Sequence, residues 1–167
     1  PEGKTVKLTD FGLSAAEPKR GGTLCGCYGT PPYMSPEMVE KKGHTRSTDV
    51  WSLGASCYLM LMYEYPYLPF DISEGKGKGF KDAIVQGIHE PTFRRRVKGS
   101  HVPNEQPSSA AVDFLRELLT RNPAKRVTTD EALELPFFEE ASDFDETYSE
   151  GTLGVEGRME SLRERVR

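Results

Sequence analysis

The 167-residue chain lacks several features that mark specialised classes of protein. Its three cysteines, Cys25, Cys27 and Cys57, are odd in number and lack a paired metal-ligand spacing, so we predict neither a disulfide framework nor a zinc site. An apolar run such as that from Cys57 to Met62 falls far short of the roughly 20 residues of a membrane helix. The net charge of -4 gives no reason to expect nucleic acid or a membrane as partner. Reduced thiols favour a cytoplasmic or nuclear protein.

The composition, 36% hydrophobic and 29% charged, is that of one globular domain with a single core. The sequence becomes acidic from Glu139 to Glu150, so we place a domain boundary there and predict two parts, 1–138 and 139–167. The second part is an acidic tail in which four apolar residues are spaced for one face of a short helix: Val155, Met159, Leu162 and Val166. A solvated tail is the favoured interpretation, and a docking helix is the alternative.

The patterns along the first part predict a mainly α fold with one short β-strand at Thr5–Thr9. Residues 14–28 have no apolar period and should form a loop. The longest predicted helix runs from a cap at Ser47 to Met62, and apolar residues lie all round it, which is typical of a helix buried on every side. Shorter helices are predicted after caps or apolar periods, at Ser35 to about Gly43, Phe80–Gln86, beyond Ser109, and from Thr128 to about Leu135.

Two short motifs stand one loop apart near the beginning of the chain. Residues 10–12 read Asp-Phe-Gly, and residues 29–37 read Gly-Thr-Pro-Pro-Tyr-Met-Ser-Pro-Glu. The pair, in this order and at this separation, resembles the activation segment of a eukaryotic protein kinase, and Gly29-Thr30-Pro31 resembles the serine/threonine branch. The string at residues 49–54, Asp-Val-Trp-Ser-Leu-Gly, is similar to the central helix of the kinase C-lobe. The resemblance therefore implies a partial, protein-kinase-like C-lobe.

The resemblance implies ATP and Mg²⁺ as cofactors and serine or threonine hydroxyls of protein substrates as phosphoryl acceptors. It assigns metal binding to Asp10, packing in a regulatory core to Phe11, and conformational freedom of the turn to Gly12. The hydroxyl of Thr30 would bond to a catalytic base. Four residues would form the platform for the substrate residue after the acceptor: Gly29, Pro31, Pro32 and Tyr33.

The same resemblance suggests Thr23 as a regulatory phosphosite, because Thr-Leu-Cys-Gly is similar to the phosphorylated sequence of basophilic kinases. In that pattern Thr-Pro follows the glycine at once, whereas Cys27, Tyr28 and Gly29 intervene here. Tyr28 is the alternative phosphosite. The chain thus departs from the family pattern at the position that would carry regulatory phosphorylation.

Glu37, Asp49 and Arg126 are assigned structural roles. In the family, the glutamate that ends the activation segment pairs with a distant arginine, and residues 122–126 resemble the motif that carries that arginine, with Asn122 in place of the usual Asp. Two lone charges in apolar surroundings are unfavourable unless they meet, so we predict a Glu37–Arg126 ion pair. Asp49 would hold the catalytic-loop backbone, or would simply complement a helix N-terminus.

The nine residues before Asp10 cannot supply a phosphate-binding glycine loop, a nucleotide-binding lysine or a catalytic loop. We therefore expect this chain to be part of a kinase domain, to need the missing N-lobe as a partner, and to be inactive alone. The alternative is a non-catalytic pseudokinase or a C-lobe interaction module.

Overall fold

The computed structural model describes residues 7–18, 21–69, 76–88, 90–96 and 105–139. These residues form five α-helices and two short 3₁₀ helices. The 3₁₀ helices are η1 (Phe11–Leu13) and η2 (Pro31–Tyr33), and the α-helices are α1 (Pro36–Val39), α2 (Ser47–Met62), α3 (Lys76–Gln86), α4 (Ser109–Leu118) and α5 (Thr129–Leu133). The mainly α prediction is confirmed. The predicted tail helix lies outside the described residues.

The predicted strand at Thr5–Thr9 begins outside the described part of the chain. Its described portion, from Lys7 onwards, is not in a strand. A strand requires a neighbouring strand for its backbone hydrogen bonds, and the described ranges contain none. Leu8 is accordingly 87% exposed, so the alternation that predicted a strand has no core to face here.

Side-chain caps set the start of most helices. Ser35 accepts a hydrogen bond from the backbone N–H of Met38 at the start of α1, and Ser108 accepts one from Ala111 at the start of α4. Thr128 and Glu131 form the predicted capping box of α5. Ser47 is different, because it is the first residue of α2 rather than its cap, and its hydroxyl instead donates to the carbonyl of Pro123.

Three helix boundaries differ from the prediction. The first helix ends at Val39 rather than near Gly43, since Lys41 has a φ of 57°, which α-helical backbone does not allow. The third begins at Lys76, four residues before the predicted Phe80, although Gly77 and Gly79 have low helix propensity. The last helix ends at Leu133.

Helix α2 lies at the centre of the core. Trp51, Ala55, Tyr58 and Met62 on one side of it are buried with residues of α3 and α4. Val50 packs in a second cluster with Phe114, Leu118 and Ala132. The helices α2 and α4 approach closely at Gly54, where a β-carbon would lie 2.8 Å from the Leu118 Cβ. A glycine is needed there because no larger residue fits.

The expectation that α2 is buried on every side is wrong for one stripe. Leu53 is 48% exposed and Met60 is 66% exposed. These residues are seven positions apart and therefore lie on the same face of the helix. The remaining described chain covers the opposite faces and leaves this stripe in solvent. None of the helices in the described ranges is long and apolar enough to cross a membrane.

Candidate functional site

The turn at residues 10–12 is exposed and held by local hydrogen bonds. Asp10 adopts a left-handed conformation, with φ of 61°, and its Oδ1 accepts a hydrogen bond of 3.3 Å from the Gly12 N–H. Ser14 closes the turn by donating from its N–H and its hydroxyl to the Phe11 carbonyl. The strained residue is therefore Asp10, and Gly12 sits so close to it that a β-carbon would lie 3.2 Å from Oδ1.

Phe11 does not make the packing that the family resemblance implies. Its side chain is 67% exposed, and the neighbouring Leu13 is 69% exposed. Neither residue is in a hydrophobic cluster of the described chain. Two adjacent apolar side chains in solvent are unfavourable by themselves, so this turn presents surface that the described residues do not cover.

The segment at residues 29–33 is built differently, because it is anchored to the core. Thr30 precedes η2 and accepts the Tyr33 N–H at its carbonyl, whereas its side chain is exposed and caps nothing. Pro32 is buried. The Tyr33 carbonyl accepts a 2.9 Å hydrogen bond from the Ser52 hydroxyl on α2. The two prolines restrict the backbone dihedral angles of the segment, and the hydrogen bond from Ser52 ties the segment to α2.

Thr23 lies beside the linker between α1 and α2. Leu24 and His44 exchange both backbone hydrogen bonds, at 2.8 and 2.9 Å, in an isolated antiparallel bridge. His44 is buried, and its Nδ1 lies 3.2 Å from the Leu24 carbonyl oxygen. A β-carbon at Gly43 would lie 2.5 Å from Thr23 Oγ1. The side chain of Thr23 is exposed, so its hydroxyl is accessible.

Glu37 and Arg126 form the predicted ion pair across 89 positions of sequence. The two carboxylate oxygens of Glu37 accept hydrogen bonds of 2.8 and 3.0 Å from Nη1 and Nη2 of Arg126. Both side chains are almost fully buried. Burial tends to raise the pKa of Glu37, but hydrogen bonds from Arg126 and the backbone, together with the arginine charge, outweigh it and lower that pKa below its ordinary value.

The remaining donors of Arg126 connect three parts of the chain. Its Nε donates to the Thr120 carbonyl, Nη2 also donates to the Arg121 carbonyl, and Nη1 also donates to the Ser47 carbonyl at the start of α2. Its guanidinium carbon lies 5.0 Å from the centre of the Trp51 ring. One cation thus joins α1, the first turn of α2 and the α4–α5 loop.

A cavity of about 380 Å³ lies between the two ends of the loop and α2. It brings together two of the predicted site residues that are far apart in sequence, Thr30 and Asp49, and it is also lined by residues that follow the Asp10 turn, Leu13, Ser14 and Glu17. Glu17 lies 3.7 Å from the guanidinium of Arg46 at the rim. Asp10, the predicted metal ligand, does not line this cavity.

Asp49 is exposed in the first turn of α2. This position agrees with both interpretations of its role, since a carboxylate there complements the helix N-terminus and also faces the cavity.

Sequence reasoning did not identify several residues that hold the site. Thr48 is buried and donates to Glu37 at 3.3 Å, and its hydroxyl oxygen lies 3.0 Å from that of Ser35. Ser52 and His44 anchor the loop as described above. Thr48 and Ser52 did carry a signal, since both are polar residues within a mainly apolar helix. His44 carried none, because its contact with Leu24 forms only in the folded chain.

Comparison with known proteins supplies the family. The family model described as "Protein kinase domain" matches residues 2–138. The chain belongs to the protein kinase family and is of the serine/threonine type. It is 33% identical over 152 residues to the serine/threonine-protein kinase PLK4 of Aedes aegypti, an alignment that covers 89% of this chain and 17% of that protein.

Other relatives agree. The chain is 32% identical over 136 residues to human serine/threonine-protein kinase H1, with 79% of this chain and 28% of that kinase covered. It is 36% identical over 134 residues to the Aurora kinase of Schizosaccharomyces pombe, with 79% and 32% covered. The chain therefore spans about a third or less of the length of these three relatives.

Protein kinases use ATP and Mg²⁺, and Asp10 is the residue to which the family resemblance assigns the metal. No group of three His, Cys, Asp or Glu side chains that could hold a metal is found in the described ranges. Asp10 is an exposed carboxylate with one oxygen engaged by Gly12. A single carboxylate fits Mg²⁺, which usually relies on one or two carboxylates and completes its shell with phosphate oxygens and water.

Proposed function

We propose that the protein carrying this chain transfers the γ-phosphoryl group of ATP to serine or threonine hydroxyls of protein substrates. The observation that carries the proposal is the arrangement of the activation segment, residues 10–37, within a chain of the protein kinase family. One end presents an exposed carboxylate at Asp10, and the other end is tied into the core through Glu37. A kinase needs both, because it must release and order this segment without moving the substrate platform.

In this proposal Asp10 holds Mg²⁺, which neutralises charge on the nucleotide phosphates when it is bound. The other proposed site residues position the catalytic base and the protein substrate. Thr30 directs its side-chain hydroxyl, which makes no capping hydrogen bond to η2, to the catalytic base. Its exposed position in the cavity shared with Asp49 supports that role. Gly29 and residues 31–33 receive the substrate residue after the acceptor. Thr23 is the proposed phosphosite, supported by its accessible side chain.

We also propose that residues 1–138 are the C-lobe part of the catalytic domain and that 139–167 form a tail. The family model's match, which ends at residue 138, supports the boundary, and uncovered apolar surface supports the view that 1–138 is part of a larger domain. Phe11, Leu53 and Met60 are each about half exposed or more, although burial of such side chains typically stabilises a fold by about 1.5–3 kcal/mol each. Further segments of a kinase domain, including the N-lobe and the catalytic loop, would cover these residues. The chain by itself is then inactive.

A phosphoryl-transfer assay on the full-length protein tests the proposed function. Asp10→Asn should reduce transfer of radiolabel from ATP to a protein substrate by at least about 100-fold, since it removes the charge that holds the metal. The same variant should unfold at the same urea concentration as the wild type, because asparagine keeps an oxygen to accept the Gly12 N–H. Thr30→Ala should also lower turnover.

Equal signal from the wild type and Asp10→Asn would contradict the proposal. It would leave the alternative, a non-catalytic pseudokinase or C-lobe interaction module, as the explanation of the fold.

A further inference from the structure

An aromatic ladder of three half-buried rings connects the proposed substrate platform to helix α3. The Tyr33 ring, at the end of η2, meets the Tyr65 ring edge to face, with centroids 5.7 Å apart and an angle of 85°. The Tyr65 ring meets Phe80 of α3 in the same way, at 5.4 Å and 83°. Tyr65 comes from the loop after α2, so it is the only member that belongs to neither element it joins.

The packing of Tyr65 also changes the surroundings of the Tyr33 hydroxyl. The neighbouring Tyr65 side chain raises the pKa of Tyr33 above its ordinary value, and burial raises it further. Tyr65 holds the Tyr33 side chain by ring packing, which is directional for edge-to-face pairs. This contact acts on a residue whose backbone N–H closes η2.

The backbone of the platform has a separate anchor, which shows what the ladder contributes. The Ser52 hydroxyl fixes the Tyr33 carbonyl against α2, and the Tyr33 N–H closes η2 on the Thr30 carbonyl at 3.0 Å. These bonds hold the backbone of the segment, and the ladder adds the packing of the Tyr33 ring. Local opening of η2 must break both, because the Tyr33 ring moves with its backbone and cannot swing outward without losing Tyr65.

We propose that Tyr65 is a positioning residue for substrate binding: it acts through Tyr33 to hold residues 31–33 in the arrangement that receives the substrate. This inference rests on the proposed kinase function. Within the described ranges, Tyr65 packs its ring against Tyr33 and Phe80, neither of which belongs to the Asp10 turn, and it does not line the cavity shared by Thr30 and Asp49. Its loss should therefore affect protein substrate and leave ATP use unchanged.

Tyr63 provides a matched control in the same loop. Its ring lies 5.3 Å from the guanidinium carbon of Arg95, which also donates to the Leu61 carbonyl at the end of α2. Tyr63 is 42% exposed and contacts no residue of η2 through its ring in the described structure. Tyr63→Leu thus removes an aromatic ring from this loop without touching the ladder.

The first test is amide hydrogen exchange on the 167-residue chain. Tyr65→Leu should increase exchange at the N–H groups of Tyr33 and Met34, which close η2, by about threefold to tenfold, corresponding to loss of one edge-to-face pair. Exchange at Leu24 and His44, in the bridge, should not change. Tyr65→Phe should restore most of the protection, and Tyr63→Leu should leave it intact. Unchanged exchange at Tyr33 in Tyr65→Leu would overturn the anchoring step.

The second test is steady-state kinetics on the full-length protein. Tyr65→Leu should raise the KM for a peptide substrate by about threefold to tenfold with little change in kcat or in the KM for ATP, and Tyr65→Phe should largely recover it. A purely structural role would lower the active fraction and hence kcat, or would act equally on both KM values. Either result would overturn the positioning role.

The two tests separate this inference from the proposed function. If the wild-type protein transfers no phosphate, the kinase proposal and the substrate-binding role of Tyr65 both fail, while the exchange experiment still decides whether Tyr65 anchors η2. If the wild type is active and the exchange effect appears without any change in peptide KM, the kinase proposal stands and the positioning role is wrong.

Discussion

Asp10 and Glu37 are carboxylates at opposite ends of the activation segment, but they are held by different means. Asp10 is exposed, and among the described residues its carboxylate accepts a hydrogen bond from the Gly12 N–H, two residues away. Glu37 is buried, and a bidentate arginine and a threonine hydroxyl reach it from distant parts of the chain. The turn at Asp10 can therefore change conformation at little cost to the fold, whereas the end at Glu37 cannot move unless the core is disrupted.

In the proposed function, this difference separates the end of the segment that changes conformation from the end that keeps its shape. A residue that must meet a metal and a nucleotide is better placed where local bonds alone hold it. A platform that must keep its shape is better placed next to a buried network, because the low dielectric strengthens a fully satisfied set of hydrogen bonds. Three predictions test the contrast, beginning with the largest expected effect.

Arg126→Ala should destabilise the chain by about 3–5 kcal/mol, because it leaves the Glu37 carboxylate buried without its partner. Urea denaturation followed by circular dichroism measures the change. Arg116→Ala is the control, since Arg116 forms an exposed pair with Asp113 at 3.0 Å and should cost about 0–1 kcal/mol. Equal losses for the two variants would mean that the buried network is no stronger than a surface pair.

Acid should weaken the same network. The folded-state pKa of Glu37 is lowered from 4.5, so its contribution to stability is present above that pH and is lost as the pH falls towards the folded-state pKa. Urea midpoints measured between neutral pH and about pH 3 should fall more steeply for the wild type than for Glu37→Gln, which has no charge to lose. Parallel pH profiles for the two proteins would contradict the assignment.

Replacing two glycines by alanine should give the smallest difference in stability between the core and the Asp10 turn. In Gly54→Ala, overpacking against Leu118 should destabilise the chain by about 1–3 kcal/mol. The higher helix propensity of alanine should offset about 1 kcal/mol of that loss. Gly12→Ala should change stability by no more than about 0.5 kcal/mol, because its nearest neighbour is the exposed Asp10 carboxylate. If Gly12→Ala proved as costly as Gly54→Ala, the turn would be part of the rigid core.

Much of the fold could be predicted from local patterns. The caps at Ser35 and Thr128 and the end of α2 at Met62 follow from side-chain chemistry that acts within one helical turn, and they were predicted correctly. The start of α3 was not, because Gly77 and Gly79 argue against a helix that the fold nevertheless forms. Propensity is a weak preference, and packing of the rest of the helix overrides it.

For the candidate site, the sequence predicted one long-range contact but not the contacts that hold the loop. The Glu37–Arg126 contact was predicted from the family resemblance, in which the glutamate that ends the activation segment pairs with a distant arginine, and the structure contains this ion pair. The contacts of Ser52, His44 and Tyr65 could not be predicted, since each depends on the relative placement of elements 19 to 32 positions apart in sequence.

By itself the sequence determined the family and the order of the helices, because motifs and caps are local properties of a chain, and the family pattern in turn identified the charged pair. Only the tertiary structure decided which face of α2 is covered, that Thr30 and Asp49 line one cavity, and that Tyr65 links η2 to α3. These features depend on how helices pack. Periodicity shows that a helix has an apolar face, but it does not show which neighbour, if any, will cover it.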